Sequence, residues 1–373
     1  MNAKESRAGQ LYSDILDNFR RKQHLDSAQV LLCVFLAARG QPYPAACTTK
    51  SPAAISRFLN HYQWSLRGLI RVMRRHALEQ FQAYRQQCRG RPPRVELIVD
   101  LTSLGKEGHF EGLGDWMQTL NTVHGVHVVV LYVCCGALRL PWSFLIWRGK
   151  GQPSPTQLAL KLLQGLPTAI RTSSKTVYLL ADGGFCSKAF LQGVIALKLA
   201  GFVGMRGDRK IATGQHLRDL TSQGRQVELH DLPGVPLWVS WVWLPGKRGA
   251  AQERRFIVST VRRSATVMKR IGKRRWKIEA LFKTLKSRFG FGKFGQHSQL
   301  GVLRYLCLSI LSFLLCHFED LDHPHTGDPP WPDWGALAQQ VRRKFFGWVR
   351  LDELFREINQ ICAVQDALSP LII

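Results

Sequence analysis

Three carboxylates stand out by the company they keep. Asp100 lies at the end of the apolar run Val95 to Leu101, and Asp182 follows the apolar run Thr176 to Ala181 and opens Asp182-Gly183-Gly184. Glu279 sits in a basic stretch from Arg274 to Lys286. Ligands of α/β sheets gather outside strand ends, so the two aspartates converge if their strands are neighbours. Each also has an ordinary reading, since aspartate at a strand end starts turns and Asp-Gly-Gly is good turn chemistry by itself. At ~100° per residue Ile278, Leu281, Phe282, Leu285 and Phe289 share one helical stripe, and Arg275, Glu279, Lys283 and Lys286 share the adjoining one. The ordinary reading there is a surface row of i,i+4 ion pairs worth a few tenths of a kcal/mol. Supply argues against it: residues 253–293 hold 14 Lys and Arg and only two acids, Glu253 and Glu279.

Such a set has a chemical logic. Two divalent cations, Mg²⁺ or Mn²⁺, take oxygen ligands, and a pair held ~4 Å apart activates an attacking hydroxyl and stabilises the leaving oxygen of a phosphodiester. In that reading Asp100, Asp182 and Glu279 bind metal. Arg275 and Lys286, with Arg274 and Lys283 beside them, hold the DNA backbone around the scissile phosphate.

The whole composition points the same way. The 373 residues carry 52 Lys and Arg against 26 Asp and Glu, a net charge of +26, and 45% are apolar. That balance excludes wholesale disorder and cationic ligands and favours a polyanion, nucleic acid ahead of an anionic membrane surface. A membrane-surface reading would put the apolar stripe of the Glu279 helix in lipid, where a domain core has better use for it. Nine cysteines without a CxxC pair or a Cys/His cluster at zinc spacing read as small buried groups in a reducing compartment. The N-terminus shows no secretory pattern, and Leu306 to Phe318, 13 mostly apolar residues where ~20 are needed to span a bilayer, reads as a core helix. Cytoplasmic, nucleoid-associated placement is the expectation.

These residues need elements to hold them. Residues 1–93 are expected to be helical and basic, with 15 Lys and Arg against 5 acids. Ser51-Pro52 supplies an N-cap followed by proline at the first helical position. The helix 53–60 is separated by residues 61–65 from a second starting near Leu66, a spacing compatible with a helix-turn-helix whose Arg67, Arg71, Arg74 and Arg75 face DNA. The plainer reading is a solvated basic face on a helical bundle. After a proline-closed linker at 87–93, runs at Val95 to Leu101, Val126 to Cys135, Leu138 to Trp147, Thr176 to Ala181 and Phe202 to Arg206 read as strands. Pro155 to Ile170 and Ser187 to Leu199 read as helices. This order predicts an α/β, RNase H-like mixed sheet flanked by helices, over residues 94–206 and 260–318. Residues 207–259, with strand-like runs at Val227 to Leu232 and Leu237 to Leu244, read as a β-rich insertion. Leu300 to Phe318 reads as a buried helix, and 319–373 as a C-terminal helical region with a loop at His323 to Trp334.

In these residues the chain resembles the DDE transposases of bacterial insertion sequences, specifically the insertion-sequence-4 family, marked by Tyr-x2-Arg-x3-Glu-x6-Lys. Arg275, Glu279 and Lys286 match its last three positions, and Gly272 stands where the family has tyrosine. Asp100 with Thr102 looks like the family's first aspartate motif and Asp182 with Phe185 like the second. The resemblance covers about residues 95–318 and implies a triad of Asp100, Asp182 and Glu279 that binds two Mg²⁺ or Mn²⁺ ions. It further implies cleavage at the ends of a mobile element, joining of the freed 3′-hydroxyls to target DNA, and double-stranded DNA as the partner of a homodimer, with no membrane. Some members flip a base onto an aromatic residue, for which Trp238, Trp241 and Trp243 are candidates, Trp241 foremost; the ordinary reading for them is a sheet core. Two other functions fit the same basic features: a transposase-derived DNA-binding protein that no longer cuts, and an RNase H-like nuclease or resolvase without strand transfer.

Overall fold

The structure, a computed structural model, describes residues 6–37, 40, 49–90, 92–108, 110–173, 177–244, 252–323, 332–349, 351, 354, 355 and 358. Helices in chain order are α1 Arg7–Leu16, α2 Lys22–Phe35, α3 Pro52–Asn60, α4 Leu66–Gln87, α5 Pro155–Gln164, α6 Thr168–Arg171, α7 Lys188–Ala196, α8 Ala265–Lys273, α9 Lys277–Ser287, α10 Gln299–Leu321 and α11 Trp334–Phe345. The strands are β1 Val95–Gly105, β2 Gln118–Leu120, β3 Val123–Cys135, β4 Leu138–Trp147, β5 Tyr178–Ala181, β6 Ala200–Met205, β7 Gln226–Leu229, β8 Leu232–Leu244 and β9 Glu253–Ser259. Contacts divide the chain into a helical unit, Met1–Val72 with Thr284–Ile373, and a sheet unit, Met73–Lys283, so that α4 and α9 each run through a boundary.

In the sheet unit β1 pairs antiparallel with β3 along its whole length and parallel with β5, which pairs parallel with β6; β4 lies on the far side of β3. The order β4-β3-β1-β5-β6 is the RNase H-like mixed sheet expected, buried in the middle because β1, β3 and β5 are predominantly apolar. Gly136, at φ +57, makes the tight bend between β3 and β4. The expected helix 155–170 is two pieces, α5 and α6, because Gly165 caps the first and Pro167 precedes the second.

Two expectations need correction here. The segment 207–259 is β-rich, but its strands extend the main sheet: β9 pairs with β6, β8 with β9 and β7 with β8. Trp241 is 4% exposed, packs on Phe256 at 5.6 Å and lies under the Arg254 guanidinium, so it is core and closed to a base. Trp238 is half-buried, and Trp243, at the end of β8, is 55% exposed with the same Arg254 guanidinium 5.5 Å from its ring centre. Alternation along β8 placed 239, 241 and 243 on one side; only the last outruns the packing.

In the helical unit Ser51 Oγ accepts from the Ala54 amide at 3.3 Å with Pro52 at the first helical position, and α3 and α4 are separated by residues 61–65, as the sequence predicts. α10 forms the core of this unit. With 23 residues it is long and apolar enough to cross a membrane by length and composition, and 89% of its most apolar window is buried inside the protein. It exceeds the expected 300–318 because Glu319 and Asp320 are also buried, Glu319 bound to Lys344 of α11 at 2.7 Å. None of the seven described cysteines is in a disulfide, and six are buried; Cys47 and Cys362 lie outside the described residues, as do Thr176 and most of the loop 323–334.

Candidate active site

The register of the parallel pair β1 and β5 ends at Val99 opposite Ala181, which sets Asp100 beside Asp182. Asp100 does not end its strand. β1 continues to Gly105 on the support of β3 alone, with Asp100 opposite Val130, so the carboxylate projects where β5 has stopped and β1 has not. Asp182 leaves β5 and caps a short 3₁₀ turn, its Oδ1 accepting from the Gly184 amide at 2.9 Å. That turn crosses β6 closely: a Cβ on Gly204 would fall 2.7 Å from the Gly183 nitrogen, so glycine at 204 lets the second aspartate reach its place. Phe185 is buried against Phe190 and pins the turn's far end; Thr102 is buried on the Asp100 face of β1.

The third acid arrives on a helical run interrupted by a 3₁₀ turn. The basic stretch read as one helix is α8, a 3₁₀ turn at Arg274–Trp276, and α9, with Glu279 in the first turn of α9, where the helix dipole favours an acid. Arg275, on the 3₁₀ turn, points at the acids. Its Nη1 donates to Asp100 Oδ2 at 2.8 Å and to Glu279 Oε1 at 3.2 Å, so one guanidinium joins two of the three acids. Arg275, read as a phosphate ligand, is therefore engaged by the carboxylates. Arg274 is engaged too: it and Lys277, the latter at 2.6 Å, bind Glu96, which is 2% exposed on β1. Lys283 is exposed on α9 and Lys286 is half-buried further along it. Among the arginines of α4, Arg67, Arg71 and Arg75 are exposed, whereas Arg74 is half-buried and donates to Ser143 Oγ at 2.7 Å, so it faces the protein and not a duplex.

Glu96 is the residue that sequence reasoning missed. The signal was there: Glu96 and Asp100 share a face of β1 four residues apart, and an acid inside a buried strand demands cations. Its two partners flank Arg275 on the 3₁₀ turn, so the clamp fixes that turn on the strand that carries Asp100. Glu96→Gln is expected to cost about 1–3 kcal/mol, tempered because both cations are part-exposed and can rehydrate. Denaturant titration of the variant checks it.

Asp100 is 7% exposed, and burial, then the charge of Asp182, raises its pKa from 3.8 to about 7 against the opposing pull of Arg275. Between those two values the folded chain holds a proton that the unfolded chain releases, so stability falls as pH rises through this window and levels off above about 7. In chelator, the unfolding temperature should drop by a few degrees from about pH 6 to about pH 8. Asp100→Asn should flatten that profile and melt higher at the alkaline end; an identical profile in the variant would remove Asp100 as the cause.

Gly272, at the place of the motif tyrosine, has a packing reason. A Cβ there would fall 2.5 Å from Ile257 Cδ1, so the glycine lets α8 lie close on β9. Beside it opens a groove of about 1100 Å³, lined by Asp182, Arg206, Trp243, Lys269, Lys273 and Arg275 among others. A groove edged by cations and an aromatic ring and reaching Asp182 suits a nucleic-acid strand.

Do the donors fit divalent ions? Mg²⁺ is usually held by one or two carboxylates, its other positions going to water and substrate phosphate. Asp100 and Asp182, adjacent and mutually repelling, match that pattern. Among the described residues no three metal-binding side chains already converge, and Glu279 is tied to the pair through Arg275.

Two adjacent aspartates where β5 ends, and a glutamate on a basic helix, thus sit on a central mixed sheet flanked by helices. Residues 91–315 match the family described as the transposase DDE domain, more than half of the chain, and the chain belongs to that family. Domains of this family generally use divalent metal ions. No curated protein matches the chain. Among solved structures it is similar to the piggyBac transposase, seen by cryo-electron microscopy in a synaptic complex with hairpin DNA, at 11% identity and TM-score 0.49 over 89% of this chain and 75% of that one.

Proposed function

We propose that the chain is an insertion-sequence transposase of the insertion-sequence-4 kind that cuts double-stranded DNA at the ends of its element and joins the freed 3′-hydroxyls to target DNA. The observation that carries this reading is the register that sets Asp100 beside Asp182 while Arg275 ties Glu279 to Asp100. Asp100, Asp182 and Glu279 are the catalytic and metal-holding acids. Two Mg²⁺ or Mn²⁺ ions supply activation of the attacking oxygen and stabilisation of the leaving one. The chain's own contribution is placement. Asp100 and Asp182 hold their oxygens at one point of the sheet edge, and Glu96 holds the turn that presents Arg275. Lys269 and Lys273 line the groove and add to the positive potential a phosphodiester needs. Trp243 offers a face to an unstacked base at the groove's edge. The N-terminal segment to residue 93 contributes DNA contacts through Arg67 and Arg71, and a homodimer engages the two ends.

The test uses duplex carrying the inverted repeats that flank the gene, with Mg²⁺ and a second target duplex. Expected are strand breaks at the repeat boundary with 3′-hydroxyl termini, followed by joined product. Cleavage without joining would assign a nuclease, and binding without cleavage a transposase-derived DNA-binding protein.

A further inference from the structure

The helical unit has a cleft of its own. About 470 Å³ in volume, it lies between the turn from α1 to α2 and the turn from α3 to α4. Its walls bring together Arg20 and Arg21 from the first turn and Arg71 from α4. Two helix starts face it. α2 begins at Arg21 without a side-chain cap, and α4 begins after Ser65, whose Oγ accepts from the Gly68 amide at 3.0 Å. Helix starts carry partial positive charge and unsatisfied amides, so two of them beside three guanidinium groups make an anion site.

A separate observation points to a ligand. His24, in the first turn of α2, is 5% exposed, stacks on Tyr62 at 5.0 Å and lines the cleft, yet its ring makes no hydrogen bond among the described residues. Asp17 is the one acid among the lining residues, and none of the three arginines pairs with a carboxylate among the described residues. Gln63 adds a neutral donor. Three exposed arginines against one acid, around a buried imidazole, match a phosphodiester group, which takes a planar guanidinium in bidentate fashion and a neutral donor at its remaining oxygen.

We infer that this cleft seats a backbone phosphate of duplex DNA, clamped by Arg21 and Arg71 with His24 donating from beneath. The inference rests on the DNA-processing reading above and concerns a site apart from the carboxylates. It alters the expected role of the α3 and α4 pair: the start of α4 is fixed on the backbone, a sequence-independent contact that sets register.

The experiment measures binding of the full chain to a random-sequence duplex of about 30 base pairs by fluorescence anisotropy across a salt series. Each phosphate contact contributes about 0.9 to the slope of log K against log salt. Arg21→Gln with Arg71→Gln should make that slope shallower by about 1. Arg21→Lys with Arg71→Lys, which keeps the charges, should leave it near wild type. Lys161→Gln with Lys188→Gln, an equal charge change on α5 and α7, should not move it. The same slope in the Arg-to-Gln pair as in the wild type or the lysine control would overturn the inference with the DNA reading intact. A wild-type chain that binds no duplex would overturn both. Calorimetry with inorganic phosphate separates the sources: uptake lost in the Arg-to-Gln pair with duplex slope unchanged would assign the cleft to a free anion and overturn the DNA assignment.

Discussion

Asp100→Ala, Asp182→Ala and Glu279→Ala are each expected to slow strand cleavage at the element's ends by about a thousandfold or more, the equivalent of ~4 kcal/mol of transition-state stabilisation, with duplex affinity nearly unchanged. The separation of the two readouts follows from the chain's charge. Binding draws on 52 Lys and Arg, and removing one acid from a chain of net +26 does not weaken attraction to phosphate. The proposed chemistry draws on three acids. The stability readout distinguishes this from misfolding, because ionised Asp100 is held against burial and the neighbouring Asp182, so its replacement should not lower the melting temperature in chelator. Quantitative cleavage on a pre-bound duplex checks the rate, and anisotropy checks the affinity. A variant that cuts within tenfold of wild type would remove its acid from the reacting centre.

The second large effect lies in the helical unit. Arg304, 2% exposed on α10, donates through Nη1 to the carbonyl of Leu59 at 2.8 Å and through Nη2 to those of Tyr62 at 2.9 Å and Trp64 at 2.8 Å, with its guanidinium 4.0 Å from the Trp64 ring centre. These carbonyls are the end of α3 and the turn that leads to α4, groups no longer served by helix hydrogen bonds. Asn60 completes the junction, its Oδ1 accepting from Ser298 Oγ at 2.8 Å. Arg304→Leu keeps apolar bulk but strands several buried carbonyls at once, and should cost about 3–5 kcal/mol. Arg304→Lys should recover little, because one ammonium cannot reproduce the planar fork. Denaturant midpoints measure both. A leucine variant within about 1 kcal/mol of wild type would mean the turn holds its shape without the arginine.

What the sequence disclosed and what it hid follow physical lines. The β3 and β4 runs, the gap between α3 and α4 and the Ser51 cap were legible because each is encoded locally, by apolar runs, a glycine bend or an N-cap followed by proline. The pairing of Asp100 with Asp182 was legible as an inference from sheet chemistry. Asp100 proved to be mid-strand because β1 is extended by its hairpin-side neighbour β3, a partner that no local pattern around residue 100 reveals. The reach of β7, β8 and β9 into the main sheet is likewise a matter of long-range pairing. Trp241 and Trp243 look alike in sequence, and only the distance β8 runs beyond its packing separates core from surface. The cations were the hardest to place: Arg74, Arg274 and Arg275 all read as DNA contacts from composition, and each has a partner in the fold more than 60 positions away, Ser143, Glu96 and Asp100.

The central claim is that the Asp100 carboxylate ligates the ions that drive phosphoryl transfer, and Asp100→Cys tests it most directly. A thiolate is a poor ligand for Mg²⁺ and a better one for softer ions. The variant should therefore be inert with Mg²⁺ and regain strand cleavage with Mn²⁺ or Cd²⁺, while the wild type cuts with Mg²⁺. Equal cleavage by wild type and Asp100→Cys in Mg²⁺, with no change in metal preference, would contradict the account.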